Sequence, residues 1–239
     1  PWKCATTFFY FLLSVNYYLR GFSIRFTLHF TYSNDMNIVP NHLFHIYNRG
    51  NQGRTIFFER EHYLYFLRKI RQYIRPYCSI LAYCLMPNHF HLLIYSRENT
   101  VAPALALRRE EVASKIEISN FAHGIKTLLS SYTKAINKQR NLTGSLFAQN
   151  TKARQVSSER TQEDYALSCF HYIHQNPYAA GLVTDLADWE FSSFNDYAGL
   201  RNGTLCDMDL AKEHLMLEWH QFRHETMQRI PEDSLLKIW

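Results

Sequence analysis

Cysteine is sparse and unpatterned in this chain. Cys4, Cys78, Cys84, Cys169 and Cys206 are scattered, odd in number and include no C-x-x-C pair. That speaks against a thiolate zinc centre or a disulfide framework and makes a reducing, cytoplasmic setting the expectation. A bilayer-crossing run is also missing. The most apolar segment, ATTFFYFLLSVNYYL (Ala5 to Leu19), is interrupted by Asn16 and ended by Arg20, short of the roughly 20 apolar residues that span a membrane. No small-residue cleavage site follows it, as a signal peptide would require. The first methionine is Met36, so residues 1–35 are expected to be an atypical hydrophobic extension translated ahead of a natural start. A membrane anchor is the other reading of that segment. Internal repeats and low-complexity tracts are absent.

What the chain does contain is ample core material and a modest positive balance. Hydrophobic residues make up 46% and aromatics 15% of the 239 positions, enough to bury a real core in a domain of this length. A net charge of +5 favours a polyanionic partner without establishing one. Twelve histidines and sixteen tyrosines are present, and both residue types can do chemistry.

Periodicity orders the chain from Asn41 onward. HLFHIYNRG (His42 to Gly50) alternates as a strand and NRGNQGR ends it. EREHYLYFLRKIRQYI (Glu59 to Ile74) spaces Tyr63, Phe66, Leu67, Ile70 and Ile74 as a helix, which Pro76 stops. CSILAYCLM (Cys78 to Met86) and FHLLIYS (Phe90 to Ser96) are short apolar strands joined by Pro87-Asn88, which suits a tight hairpin. A polar, mobile stretch is expected from Arg97 to about Glu117. Ile118 to Arg140 then reads as a basic amphipathic helix weakened by Gly124, Lys152 to Val156 as a strand, and Thr161 to Gln175 as a helix. Thr161 would cap that helix, Asp164 would lie in its first turn, and Asn176-Pro177 would close it. This order predicts an α+β fold, an antiparallel sheet with helices packed on its faces, with the split β-α-β ferredoxin-like plan as the nearest motif. Leu215 to Ile230 reads as an amphipathic helix within a C-terminal extension over 201–239 that docks, self-associates or touches DNA.

His89 and His91 flank Phe90, so alternation aims both imidazoles to one side, about 7 Å apart by strand rise. They can converge on one ion, or one can bond within the core while the other is exposed. Tyr172 and Asn176 lie four apart near the end of the last long helix and share a face. The bland reading there is a core tyrosine and an asparagine cap. Taken together, the four describe a phosphoryl-transfer site. His89, His91 and Asn176 would hold Mg²⁺ or Mn²⁺, and Tyr172 would attack a phosphate.

MPNHFHLLI, YIHQNPYAAGLV and WEFSSFNDYAG, with IYNRGNQ and SYTKAINKQRNLTGSLF, closely resemble the IS200-like tyrosine transposases, and most of all the REP-associated subgroup. These are HUH enzymes, named for the histidine, hydrophobic residue, histidine run that stands here as His89-Phe90-His91. The resemblance covers about residues 41–200, within an expected catalytic domain over 36–200. It implies a ferredoxin-like domain, divalent-metal-dependent cleavage of single-stranded DNA, a 5′-phosphotyrosine link and a free 3′-hydroxyl. The nucleophile maps to Tyr172 and the third ligand to Asn176. Gln175 is one residue out of register for the glutamine of shorter members. Tyr132 is the rival nucleophile, but its i+4 neighbour is Ile136, which cannot bind metal. Asn150 stands near where the subgroup carries an arginine, which puts local DNA contacts in question.

Arg49, Arg54, Lys126, Lys134, Lys138, Arg140, Lys152 and Arg154 are candidates to track a phosphate backbone, with Tyr47 or Phe147 as stacking faces for unpaired bases. A solvated surface explains any one of these cations equally well. The expected partner is single-stranded or hairpin DNA, with no small-molecule cofactor and no membrane. Monomer and homodimer both remain open. A DNA-binding protein of the same fold without cleavage is the alternative function. A hydrolase of small phosphates would call for a carboxylate-rich ligand set that is not evident.

Overall fold

Residues 11–19, 22–30, 36–102, 119–156, 162–218 and 220–228 are described by the computed structural model. The chain divides into two units, Pro1–Asp35 and Met36–Trp239. Within the first, β1 (Phe11–Leu19) and β2 (Phe22–Phe30) pair antiparallel, Leu19 opposite Phe22. Among the described residues no helix is long and apolar enough to cross a membrane. The expected cap Thr161, most of the polar stretch after Arg97, Cys4 and Ile230 lie outside the described residues, as does the side chain of Asp164.

The second unit is an α+β domain around a four-stranded antiparallel sheet. In chain order it contains β3 (Leu43–Arg49), α1 (Arg60–Tyr73), β4 (Cys78–Met86), β5 (His89–Ser96), α2 (Glu98–Val101), α3 (Asn120–Arg140), β6 (Lys152–Gln155) and α4 (Gln162–Ala179). The strands lie in the order β4-β5-β3-β6. Because β5 runs antiparallel to both its neighbours, β3 and β4 are parallel with β5 inserted between them. The same holds for β5 and β6 around β3. Two interleaved β-α-β units are the ferredoxin-like plan that the element order predicts.

Each face of this sheet has its own core. Phe44, Ile46, Phe90, Leu92 and Ile94 point to α1 and α3, where they meet Phe66, Ile70, Leu128 and Tyr132. Leu43, Cys84, Met86 and Leu93 point the other way, to Cys169, Phe170 and Ile173 of α4. Strand β4 serves both faces through a bulge. Ile80 pairs with Ile94 and Ala82 with Leu93, leaving Leu81 as the extra residue, so the inward parity switches from even to odd numbers along the strand. Gly124, read from sequence as a weak point in α3, is a close-packing site. A β-carbon there would collide with the carbonyl oxygen of Tyr73 at the end of α1, so the two helices touch where only glycine fits.

Two sequence expectations change in the C-terminal third. Helix α4 does not close at Asn176-Pro177 but runs on to Ala179 with Pro177 inside its last turn. The proline forfeits one helical bond there, which is tolerable where the helix is about to end. The single helix expected over Leu215 to Ile230 is also absent. Instead α6 (Met208–Leu215) stops at Met216, which takes a left-handed conformation at φ 50, and α7 (Phe222–Met227) follows after a bend. The break lets Leu217 and Phe222, both buried, turn onto α4. The WEFSSFNDYAG motif, which includes the short helix α5 (Phe194–Tyr197), covers the free edge of β4. Leu85 N donates to Phe191 O at 2.9 Å, Ser193 N to Tyr83 O at 3.0 Å and Trp189 Nε1 to Leu85 O at 3.1 Å, which hides donors and acceptors that an edge strand would otherwise expose.

His171 and His174 project from α4 toward these C-terminal elements. His171 Nδ1 meets Thr226 Oγ1 at 2.9 Å and His174 Nε2 meets Ser193 Oγ at 2.7 Å. Burial lowers His171 from 6.5 to about 4 and His174 to about 3.

Gly124→Ala should lower unfolding stability by about 1–3 kcal/mol through overpacking, outweighing the roughly 1 kcal/mol of helix propensity that alanine gains; urea titration of both proteins measures the difference. A pH dependence follows from the two buried histidines. Their folded values lie below the unfolded one, so the unfolded chain takes up protons first as pH falls. Their contribution is full above 6.5 and is lost as pH drops toward 4 and 3. The unfolding midpoint should fall over that window, and less steeply in His174→Gln, as followed by circular dichroism melts.

Candidate functional site

The imidazole pair sits at the start of β5. Cross-strand register places Arg49 opposite His89 and Tyr47 opposite His91, so both rings emerge on the α4 face while Phe90 is fully buried on the other. Their centroids are 4.9 Å apart with the planes at 85°. The hairpin turn before them is strapped from outside by the loop after β3. Gly50 N donates to Asn88 O at 2.7 Å, and Ile56 N and Phe57 N donate to Pro87 O at 2.8 and 3.0 Å. Gly50 has no room for a β-carbon, which would collide with Arg54 O. This strap is what the glycine of IYNRGNQ makes possible.

Within the turn, His89 Nδ1 lies 2.7 Å from Asn88 Oδ1. An amide oxygen only accepts, so in the tautomer that donates to Asn88 the His89 proton sits on Nδ1 and the Nε2 lone pair faces the site. His91 Nδ1 lies 2.8 Å from Nε2 of His45, a β3 residue, and both residues are fully buried.

Helix α4 crosses this face of the sheet and presents Tyr172 and Asn176 one turn apart, both buried. Asn176 Nδ2 donates to the Tyr172 carbonyl at 2.9 Å, which leaves its Oδ1 to act toward the histidines. The amide is a hydrogen-bond partner of His89. The Tyr172 ring stands edge-on to His91, with centroids 5.7 Å apart, and to His45 at 6.4 Å. His89, His91, Tyr172 and Asn176 are therefore brought together. Tyr132 is not: it belongs to the opposite core and donates its hydroxyl to Ile56 O at 2.7 Å. Gln175 is turned away as well, with its amide nitrogen on the carbonyls of Thr226 and Gln228.

Burial decides the protonation of the pair. It lowers His89 below its ordinary value, with the Asn176 bond partly offsetting. It lowers His91 well below, reinforced by the neighbouring His45 and His89. Neutral imidazoles keep a lone pair for a ligand. No group of three or more His, Cys, Asp or Glu side chains able to hold an ion occurs among the described residues. Any ion here would rest on two imidazoles and an amide.

Beside the histidines opens a cleft of about 490 Å³ lined by Tyr47, Arg49, Asn88, His89, His91 and Lys152, among others. Asn150 lines it too. Register puts Lys152 opposite Tyr47 and Arg154 opposite His45, so with Arg49 they share the histidines' face. Arg54 is exposed on the strap loop. Lys126, Lys134, Lys138 and Arg140 project from α3, which covers the other face, and do not join this group. Phe147 cannot serve as a stacking platform: it is 3% exposed, packed against Phe66, Phe90 and Tyr132. Tyr47 is half-buried and lines the cleft.

Sequence reasoning passed over His45 and Asn88. Parity alone placed His45 on the same face as Tyr47, but its partner comes from β5, and no local spacing reveals a cross-strand bond. Asn88 was read only as a turn residue, although an acceptor beside a histidine was visible.

No family model and no curated protein matches the sequence. Among solved structures, the chain is similar to a REP-associated tyrosine transposase bound to a REP hairpin, with 17% identity over 72% of this chain and 86% of that one and a TM-score of 0.48.

Proposed function

We propose that this chain is a metal-dependent, single-tyrosine transposase that cleaves and rejoins single-stranded or hairpin DNA. The observation that carries the reading is the convergence of His89, His91, Asn176 and Tyr172 on one face of the sheet beside a cleft lined by Arg49 and Lys152. The donor set suits a divalent ion such as Mg²⁺ or Mn²⁺. Two imidazoles kept neutral by burial and one amide oxygen offer lone pairs and leave the remaining coordination to phosphate oxygens. Bound there, such an ion would draw charge from the scissile phosphate.

The chain's own residues do the rest. Asn176, tied to the Tyr172 carbonyl, keeps ligand and nucleophile at a fixed offset along one helix. Tyr172, ordinarily a weak nucleophile with a pKa near 10, stands edge-on to His91. Its Oη forms the bond to phosphorus as the bond from phosphorus to the 3′ oxygen breaks. The tyrosine gives up its proton and the 3′ oxygen leaves as a hydroxyl. The resulting 5′-phosphotyrosine ester retains a phosphate ester bond for rejoining to another 3′-hydroxyl. Arg49, Lys152 and Arg154 lie on the face where a single strand would run, and Tyr47 offers a ring to an unpaired base.

Incubation with Mn²⁺ and hairpin-bearing single-stranded oligonucleotides should give a covalent protein–DNA adduct on a denaturing gel. Tyr172→Phe should abolish the adduct while DNA binding persists. An adduct that survives Tyr172→Phe and disappears in Tyr132→Phe would overturn the assignment, and binding with no adduct in the unaltered protein would favour a DNA-binding protein without cleavage. The two groups of cations should also separate. Arg49→Ala and Lys152→Ala should each flatten the dependence of log binding constant on log salt by about 0.7 for single strands, whereas Lys134→Ala on the far face should leave the slope unchanged.

A further inference from the structure

His45 is an unusual occupant of a sheet interior. It is fully buried on a central strand, and its ring meets three rings of the site: His91 at 5.0 Å between centroids, Tyr47 at 4.8 Å and Tyr172 at 6.4 Å. Its Nε2 meets His91 Nδ1 at 2.8 Å, with the two planes only 21° apart, a geometry in which the nitrogens meet at the ring edges. A bond between two imidazole nitrogens needs one donor and one acceptor, so it has two possible directions. If His45 donated, His91 would carry its proton on Nε2 and would have no lone pair to turn toward His89 and Asn176. If His45 accepts, His91 is protonated on Nδ1 and its Nε2 lone pair is available to the site. The second direction gives His91 the same tautomer as a His89 that donates to Asn88 Oδ1, so both imidazoles would then present Nε2.

We propose that His45 is the positioning residue of the metal site: it accepts the His91 Nδ1–H bond and thereby fixes both the tautomer and the ring orientation in which His91 presents Nε2 to a divalent cation. The role rests on the metal reading above. Outer partners of this kind orient a ligating histidine and raise its basicity, and their loss typically lowers metal affinity by about 10–100-fold. Tyr47, stacked on His45 from the cleft side, limits the rotation of the acceptor ring. His45 is itself fully buried and is no catalytic residue; it acts through His91.

The test uses the full chain and reads the tautomer before any activity. In the metal-free protein, long-range ¹H–¹⁵N spectra of the histidine side chains should report His91 protonated at Nδ1, assigned by its loss in His91→Gln. His45→Phe keeps a ring but removes the acceptor, and should move the His91 proton to Nε2 or into exchange between both nitrogens. Calorimetric titration with Mn²⁺ should show affinity reduced about 10–100-fold in that variant. His45→Gln, whose amide oxygen reaches about as far as Nε2, should restore both readouts in part. A wild-type His91 protonated at Nε2 overturns the proposal, whether or not either variant folds. So does a folded His45→Phe protein with unchanged tautomer and Mn²⁺ affinity, an outcome that leaves the metal reading standing. Wild-type protein that takes up no Mn²⁺ overturns the metal reading and this role together.

Discussion

The seven cross-strand pairs between β3 and β5, from Leu43 opposite Tyr95 to Arg49 opposite His89, decide which face every side chain of the two central strands meets. Both faces are buried, so a slip of one residue would drive His89 and His91 into the Phe66–Tyr132 core and push Phe90 and Leu92 against α4. Such a slip costs on both sides at once. The register is pinned at its histidine-bearing end by the tight Pro87-Asn88 turn and by the strap from Gly50 to Phe57 that bonds to it. The same turn that sets the register also carries Asn88, the partner of His89. Fold specification and imidazole orientation therefore share residues.

Helix α4 depends on that register from one side and on the C-terminal elements from the other. Cys169 and Ile173 belong to the core it shares with the sheet, while Phe170 packs on Tyr197 and Phe222, and His171, His174 and Gln175 bond to Thr226, Ser193 and the carbonyls near the chain's end. A helix held on two sides has little freedom to rotate. Rotation would separate Tyr172 and Asn176 from the imidazoles, so the two histidines of HYIHQNP act on the site from behind. They also make helix docking sensitive to acid, because each must be accommodated without charge.

Much of this was legible in the sequence, and the omissions have identifiable causes. Alternation in HLFHIYNRG and helical spacing in Glu59 to Ile74 located β3 and α1 to within a residue or two, α1 because it buries one clear face and β3 because turn residues end it. The bulge at Leu81 was invisible: CSILAYCLM is apolar throughout, so it contains no parity to break. Gly124 was read by propensity alone, whereas its reason is the Tyr73 carbonyl of another helix. The two-part C-terminal helix failed for a related reason. Its periodicity survives the break at Met216, and only the demand of burying Phe222 on α4 shows where the chain must turn. At the site, residues that share an element were readable from spacing, as with His89 and His91 or Tyr172 and Asn176. That these pairs face each other, and that His45 stands behind one of them, is a property of the sheet order and not of any local pattern.

The charge of the site adds a constraint on how it would work. On the proposed reading, the ligands are two neutral imidazoles and an amide, which bring no negative charge to a divalent ion, and Arg49 and Lys152 stand nearby. An ion alone would meet uncharged donors and like charges. A phosphate alone would meet the two cations. Together, the phosphate supplies the negative charge that the ion lacks and the ion adds to the positive field that holds the phosphate. Ion and DNA must then raise each other's affinity by the same factor, since such coupling is reciprocal. A carboxylate in place of one imidazole would bind the ion tightly without DNA and weaken that coupling. On the same reading, burial of His91 and the bond it donates to His45 would keep the ligands neutral and aimed, so the site would be ready for the ion but bind it strongly only when a phosphate is present.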